Sequence, residues 1–268
     1  MNTQKIKSPA KLNLYLKIIK KLSNGYHELD TCFQLINIYD DMYFSLQDSN
    51  SISVNCSEKS ILEKENIVYK SIQVMQKLNN GGGIKIDITK NIPIGAGLGG
   101  GSSNAASTIL VLNRLWNMGL GMERMLEIGN SLGADVPFFI NGINAHAKGI
   151  GNIFKEKLSD TSNYVVIVPN IFNSTKKMFT LYSESNLKDF KNHQNSFWAI
   201  FIKNNKEIED FYNKINKDYE ICLSGSGSAM FIKYNNAQEK EKILKIIPSN
   251  WRFFLAKPLQ YSPLREFV

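Results

Sequence analysis

Five glycines occupy the seven positions from 95 to 101, inside the run Pro93-Ile94-Gly95-Ala96-Gly97-Leu98-Gly99-Gly100-Gly101-Ser102-Ser103-Asn104. Glycine loses more backbone freedom on folding than any other residue, so a plain connector would not carry such a run. What glycine permits is close approach of the backbone to a ligand, with successive amide groups turned toward an anion. Behind the run, Ala105, Ile109, Leu112 and Trp116 recur at helical spacing, and Ser102, Ser103 and Asn104 are all good N-cap types. A helix is therefore expected to begin at Ser102 or Ser103 and to aim its positive end at the loop. In front, Ile84, Ile86 and Ile88 alternate as in a strand. Strand, glycine loop and helix together make a phosphate cradle.

Two familiar cradles do not fit. A Walker A loop needs GxxxxGK[ST], but Ser102-Ser103-Asn104 follows the glycines and no lysine stands where one is required. Gly95, Gly97 and Gly100 satisfy GxGxxG, yet a dinucleotide-binding turn follows a fully buried parallel strand and precedes an acidic residue ending a second strand about 20 residues on. Here the preceding strand alternates, and residues 116–127 are helical in pattern.

The chain has 268 residues, two domains or one large one at a prior of about 150 each. With 43% hydrophobic and 21% charged residues it has the balance of a folded globular protein. Lys and Arg number 32 against 24 Asp and Glu, a formal charge of +8 that asks for an anionic partner: nucleic acid, a membrane surface or a phosphorylated metabolite. The lysines are mixed with acids, as over residues 203–220, so no basic block forms a nucleic-acid footprint. Cys32, Cys56 and Cys222 are odd in number and lack a CxxC pair, which disfavours disulfides and zinc and suits a reducing, cytoplasmic setting. No signal peptide is legible, and the uncharged stretch 91–113 is too rich in Gly, Ser and Asn to span a membrane.

Ala10, Leu12, Leu14, Leu16 and Ile18 alternate with Lys11, Asn13, Tyr15 and Lys17, predicting a strand with one buried face and Lys11 on the opposite one. Asn24-Gly25 supplies a turn into extended chain over 26–46. A short strand is expected over 51–54, a helix from Asn66 and another over 122–132 that Gly133 breaks. Asp135-Val136-Pro137 is expected to be extended or turned, because the residue before proline avoids the helical region. Apolar periodicity lapses over 154–162, placing a boundary between domains 1–155 and 156–268. The second half reads as a strand over 164–168, helices over 176–183 and 197–217, two strands over 221–233, a helix over 240–247 and a last strand over 252–256. That order suggests an α+β domain with helices on one sheet face.

A second turn, Leu223-Ser224-Gly225-Ser226-Gly227-Ser228-Ala229, is alone no more than a β-turn; beside the first loop it suggests a second wall of one anion site. With Ser8-Pro9-Ala10-Lys11-Leu12-Asn13-Leu14 and the stretch from Pro93 to Ala106, it resembles, in order and spacing, the three motifs of the GHMP kinase superfamily, the group of galactokinase, homoserine kinase and mevalonate kinase. Within it, Gly25-Tyr26-His27-Glu28-Leu29 and Gly133-Ala134-Asp135-Val136-Pro137-Phe138-Phe139 are similar to the branch that acts on a cytidine-diphosphate-linked methylerythritol in non-mevalonate isoprenoid synthesis; another small-molecule kinase of the superfamily is the alternative.

The resemblance implies an α+β, two-domain fold, an N-terminal ATP-binding half and a C-terminal half with the active site between them, and ATP-dependent phosphorylation of the substrate's 2-hydroxyl. Carried over, Asp135 is the catalytic acid/base and Lys11 its charged partner. Pro93, Gly95, Gly97, Leu98, Gly99, Gly100, Gly101, Ser102, Ser103 and Asn104 bind the nucleotide, with Asn66 and Lys90 on its adenine side. Tyr26 and His27 hold cytosine, Phe179 is a second stacking ring, and Asn13, Ser226 and Gly227 complete the substrate site. Mg²⁺ accompanies ATP, with Ser103 as its ligand and Ser102 behind. Asn152 stands where this family often has an acidic residue. The partner is a small molecule rather than nucleic acid or membrane, and the protein a monomer or weak homodimer. An alcohol has a pKa of ~16 and an ordinary carboxylic acid ~3.9, so removing the proton before transfer would cost about 16 kcal/mol. The acceptor's proton should therefore leave late, as bonding to phosphorus develops.

Overall fold

The alternation of residues 10–18 lies within β1 (Gln4–Lys21), which pairs antiparallel with β2 (His27–Gln47) along its length, with register shifts at Pro9/Ala10, Asn13/Tyr15 and Ile18/Lys20. On its other edge β2 meets two strands in turn, β4 (Gly83–Thr89) along 41–47 and β5 (Ala145–Lys148) along 31–33. β3 (Ile52–Cys56) runs parallel to β4, and β6 (Ile153–Glu156) antiparallel to β5. The computed structural model describes residues 3–23, 25–79, 82–185 and 194–268, so Asn24 of the expected turn lies outside the described residues.

Four helices, α1 (Ile67–Asn79), α2 (Gly100–Leu115), α3 (Met122–Leu132) and α4 (Val136–Asn141), contribute to the core on one side of this sheet. Phe33, Leu35, Phe44, Ile86, Ile109 and Phe138 lie at its centre. The second sheet has the order β10 (Arg252–Ala256), β7 (Asn163–Val168), β9 (Met230–Tyr234), β8 (Ile221–Leu223), antiparallel throughout. Val165, Ile167 and Ile232 pack with α5 (Thr175–Glu184), α6 (Trp198–Lys203), α7 (Lys206–Ile215) and α8 (Ala237–Ile246). On the opposite face Tyr164, Val166 and Phe231 pack with Ala10, Leu12, Ile36 and Leu98. β7 is thus covered on both sides, which is why its sequence is apolar at nearly every position.

The same sandwiching corrects the expectation for β1. Lys11 and Asn13 point away from Ala10 and Leu12 as the alternation requires, but they too are buried, at 3% and 2% exposure. α2 begins at Gly100, earlier than expected, because Gly99 takes the left-handed conformation and supplies the cap from its backbone: the Ser103 amide donates to Gly99 O at 2.9 Å. Residues 136–141 are helical rather than extended, since proline in a first helical turn forfeits no needed N–H. The expected helix 197–217 is two, α6 and α7, divided at Asn204 and Asn205, whose side-chain amides donate to Ile200 O and Phe201 O.

The chain leaves the first sheet at Glu156 and enters the second at Asn163. A cut at 155/156 misassigns the tail, however. Leu259 N donates to Leu35 O at 2.9 Å, Ser262 N to Gly142 O at 2.8 Å, and Leu264 and Phe267 are buried in the first core. Among the described residues no helix is long and apolar enough to cross a membrane.

Candidate active site

A cleft of about 1210 Å³ is lined by the glycine loop, by Lys11, Asn13 and Asp135, by Tyr26 and His27, and by α5. Gly95, Gly97 and Gly99 all have positive φ, and a Cβ at any of them would clash, on Gly95 at 2.5 Å from the exposed Phe172 ring and at the other two against buried neighbours. A Cβ on Gly97 would sit 2.1 Å from Ser224 O, and one on Gly99 2.8 Å from the Phe139 ring. At Gly101, by contrast, the nearest atom to a Cβ is Ile67 at 3.8 Å, so space remains beside the start of α2. A phosphate chain fits there: open volume against backbone amides at a helix N-terminus.

The three motifs meet at one carbonyl. Gly97 O accepts from Lys11 Nζ at 3.0 Å and from Ser224 Oγ at 3.1 Å. The Lys11 amide donates to Leu98 O (3.0 Å), Asn13 N to Ser224 Oγ (3.2 Å) and Ala229 N to Ala96 O (3.0 Å). Lys11 Nζ also donates to Asn13 Oδ1 and lies 3.4 Å from Asp135 Oδ2, with the Phe33 ring centre 5.4 Å away. A buried ammonium has three donors, and here Gly97, Asn13 and Asp135 face it. Asn13 is itself anchored, its Nδ2 donating to Thr31 Oγ1 at 2.8 Å. Asp135 sits at the N-cap of α4 with its side chain 34% exposed, so its carboxylate opens into the cleft, while the Lys11 side chain, at 4%, borders the same cleft almost wholly buried. The turn that places it comes from Gly133, whose carbonyl accepts from Val136 N at 3.1 Å.

Other expected nucleotide contacts divide into lining and supporting groups. Pro93, Leu98, Gly100, Ser102, Asn104, Asn66 and Lys90 all border the cleft. Ser103 does not: it is fully buried, its Oγ 2.9 Å from Ser8 Oγ, because the early start of α2 turns that position inward. Of the two loop serines it is Ser102 that borders the cleft. Lys90 is largely committed within the protein, donating to Asp40 and, at 2.9 Å, to Asn104 Oδ1. Asp40, completely buried, also accepts from Asn91 N and Ile92 N at 2.8 and 2.9 Å, and so fixes the entry to the glycine loop. Asn66 Oδ1 accepts from Val68 N at 3.0 Å in the first turn of α1. Among the described residues no group of three or more His, Cys, Asp or Glu could hold a metal, and Asp135 and Ser102 are side-chain oxygens that border the cleft beside the loop.

The aromatic wall is built differently. Tyr26 is 59% exposed. His27 stacks on Phe179, ring centres 4.9 Å apart at 22°, and its Nε2 lies 3.2 Å from Ser183 Oγ. Phe179 therefore backs His27 here and does not stand as a separate second ring; its other contact is edge-on with Phe197. Burial, aided by Lys21, lowers the His27 pKa, favouring the neutral ring with one donor and one acceptor. Ser226 borders the cleft, with its Oγ 2.9 Å from Thr175 Oγ1; Gly227 packs behind it against Leu223. Asn152 follows the Gly149–Gly151 turn, whose Gly149 O accepts from Leu29 N at 2.7 Å, just beyond His27.

Sequence reasoning missed Asp40 and Asn195. An acid within the apolar run of β2 was a signal for the first; Asn195 gave none. Asn195 is buried and its Nδ2 donates to Leu223 O and Gly225 O at 2.8 Å each.

Comparison with known proteins agrees with this geometry. Residues 66–143, which hold the glycine loop and Asp135, match the family described as GHMP kinases N terminal domain. A 4-diphosphocytidyl-2-C-methyl-D-erythritol kinase of Acinetobacter baumannii is 39% identical over 98% of both chains, and one of Marinomonas sp. is 33% identical over 98% of this chain and 90% of its own. A crystal structure of a 4-(cytidine 5'-diphospho)-2C-methyl-D-erythritol kinase superposes with a TM-score of 0.79 at 25% identity, covering 95% of this chain and 99% of that one. The Methanococcus jannaschii mevalonate kinase, at 15% identity and a TM-score of 0.69, shares the fold over 96% of this chain and 99% of its own. Matched over 98% of its length by relatives 33–39% identical, and carrying the glycine loop whose Gly97 carbonyl gathers Lys11 and Ser224, this protein is a member of the GHMP kinase family.

Proposed function

We propose that this chain transfers the terminal phosphoryl group of ATP to the 2-hydroxyl of 4-diphosphocytidyl-2-C-methyl-D-erythritol. The observation that carries this reading is that one continuous cleft holds both the Lys11–Asp135 pair beside the glycine loop and the Tyr26–His27–Phe179 wall. The first suits phosphoryl transfer to an alcohol; the second suits a pyrimidine nucleotide.

Asp135, reachable from the cleft, accepts the hydroxyl proton as the oxygen bonds to phosphorus. Lys11, anchored by Gly97 O and Asn13, holds that carboxylate in line and offsets negative charge on the group in flight. Amides of residues 95–102 and the start of α2 bind the phosphate chain. Bound with ATP, Mg²⁺ neutralises phosphate charge while keeping several waters; Asp135 and Ser102 are the residues that would hold it. The Tyr26 face stacks on cytosine, a contact worth about 1–3 kcal/mol, and neutral His27 meets the base edge. One chain supplies every group named, which supports a monomer or weak homodimer, and three free cysteines support a cytoplasmic setting.

Purified protein with Mg-ATP is tested by ADP release against the cytidine compound, homoserine, mevalonate and galactose. Release with the cytidine compound alone is expected. Release with another alcohol instead would keep the kinase and overturn the role of the aromatic wall.

A further inference from the structure

Asn195 joins two parts of the molecule that sequence keeps far apart. Its neighbours dock on β1: Leu16 N donates to Gln194 O at 2.9 Å and Ser196 N to Leu16 O at 2.8 Å, so residues 194–196 run parallel to the strand that carries Lys11. Its side chain reaches the third motif, where both donors of Nδ2 are used at 2.8 Å on the carbonyls of Leu223 and Gly225, and Oδ1 accepts from Phe197 N at 2.8 Å. Those two carbonyls flank Ser224, whose hydroxyl bridges Asn13 N and Gly97 O. A Cβ on Gly225 would lie 3.1 Å from Asn13 Oδ1 and 3.5 Å from Lys11 Nζ. The backbone that Asn195 clamps is therefore the backbone packed against the Lys11 ammonium.

We propose that Asn195 is a positioning residue for phosphoryl transfer, acting through Ser224 and Gly225 to hold Gly97 O and Asn13 in place around Lys11. Only a carboxamide offers two N–H groups on one atom and an acceptor beside it at this reach. Aspartate keeps the shape and the acceptor but turns both donors into an oxygen facing two carbonyls, and alanine leaves both carbonyls without their partner. A side chain that merely staples the fold would act on the amount of folded protein. One that acts through Lys11 changes turnover by the folded enzyme, and its effect disappears once Lys11 is gone.

The inference rests on Lys11 serving the transfer step, so Lys11→Ala is measured in the same assay. Asn195→Asp is expected to lower kcat by about ten- to hundredfold, with KM for ATP and for the cytidine substrate each within about threefold, in protein that thermal melting shows to be folded at the assay temperature. In a Lys11→Ala background the same substitution should change the residual kcat by less than about twofold. An unchanged kcat in folded Asn195→Asp, or an equal fold-loss in both backgrounds, would overturn the proposal. Wild-type turnover in Lys11→Ala would remove the assignment of Lys11 itself and the inference with it. If Asn195→Asp does not fold, Gly225→Ala, at a φ of +58°, disturbs the same backbone from its other side and takes its place with the same expectations.

Discussion

The two walls of the cleft are held by different kinds of bond. Around Lys11, three segments far apart in sequence are joined largely through backbone: Gly97 O, Leu98 O, Ala96 O and the amides of Lys11, Asn13 and Ala229 are all engaged. Around His27, among the described residues, the ring is tied by a stack on Phe179 and a hydroxyl contact with Ser183, and the backbone only by the β1–β2 hairpin and its neighbours, as in Leu22 N donating to Tyr26 O at 2.8 Å. A transition state that gathers charge is best served by dipoles already in place, because moving them during the reaction would use up the stabilisation they provide. A nucleobase is recognised by faces and edges that hold it equally before and during transfer, so that wall governs binding rather than rate.

The contrast breaks if the walls respond alike to substitution. The largest effect is expected at the first: Asp135→Asn should lower kcat by about 10²–10⁴ with KM for the cytidine substrate little changed, as steady-state kinetics will show. Next comes Gly97→Ala. Its Cβ would meet Ser224 O at 2.1 Å from a φ of +75°, so overpacking of about 1–3 kcal/mol adds to roughly 1 kcal/mol for the left-handed backbone. Urea unfolding measures that loss, and a wild-type midpoint would mean that the joint between second and third motifs is loose. At the other wall Tyr26→Ala should raise KM for the cytidine substrate about tenfold or more and leave kcat within about twofold, from the worth of one stacked base. A fall in kcat at unchanged KM would place Tyr26 with the transfer machinery instead.

The smallest effect is one of pH. Burial and Lys21 hold the His27 pKa below its ordinary value, so the folded protein favours the neutral ring and its protonation is postponed to more acid solution. From pH 8 down to about 6.5, KM for the cytidine substrate should stay within about twofold, rising only on further acidification. An inflection at or above pH 7 would show a ring that titrates as the imidazolium more readily than this wall allows.

Local signals were legible where local physics decides. Gly133 ends α3 at Leu132, and the alternation of Ile84, Ile86 and Ile88 is β4. Contacts over long separations were not. Nothing near Lys11 announces that its face of β1 will be covered, because the cover comes from residues 97–98 and 224–225. Ser103 looks like a cap and a ligand until Gly99 starts the helix early and turns the hydroxyl toward Ser8. The partners of Asp40 and Asn195 lie about 50 and about 30 positions onward, and no period or spacing marks such a pair.

The return of the tail to the first sheet bears on how the chain is made. Leu264 and Phe267 fill the core that Phe33, Leu35 and Phe138 begin, and synthesis delivers them more than a hundred residues later. Domains generally fold in order as they leave the ribosome, amino-terminal first. Here the earlier half emerges with an apolar gap that it must keep from other chains until Phe267 arrives, and the second sheet, packed on β1 and β2 through Tyr164, Val166 and Phe231, forms in the meantime against an unfinished neighbour. Removing residues 259–268 would therefore strike the glycine-loop half first, although the whole second sheet lies between the two in sequence.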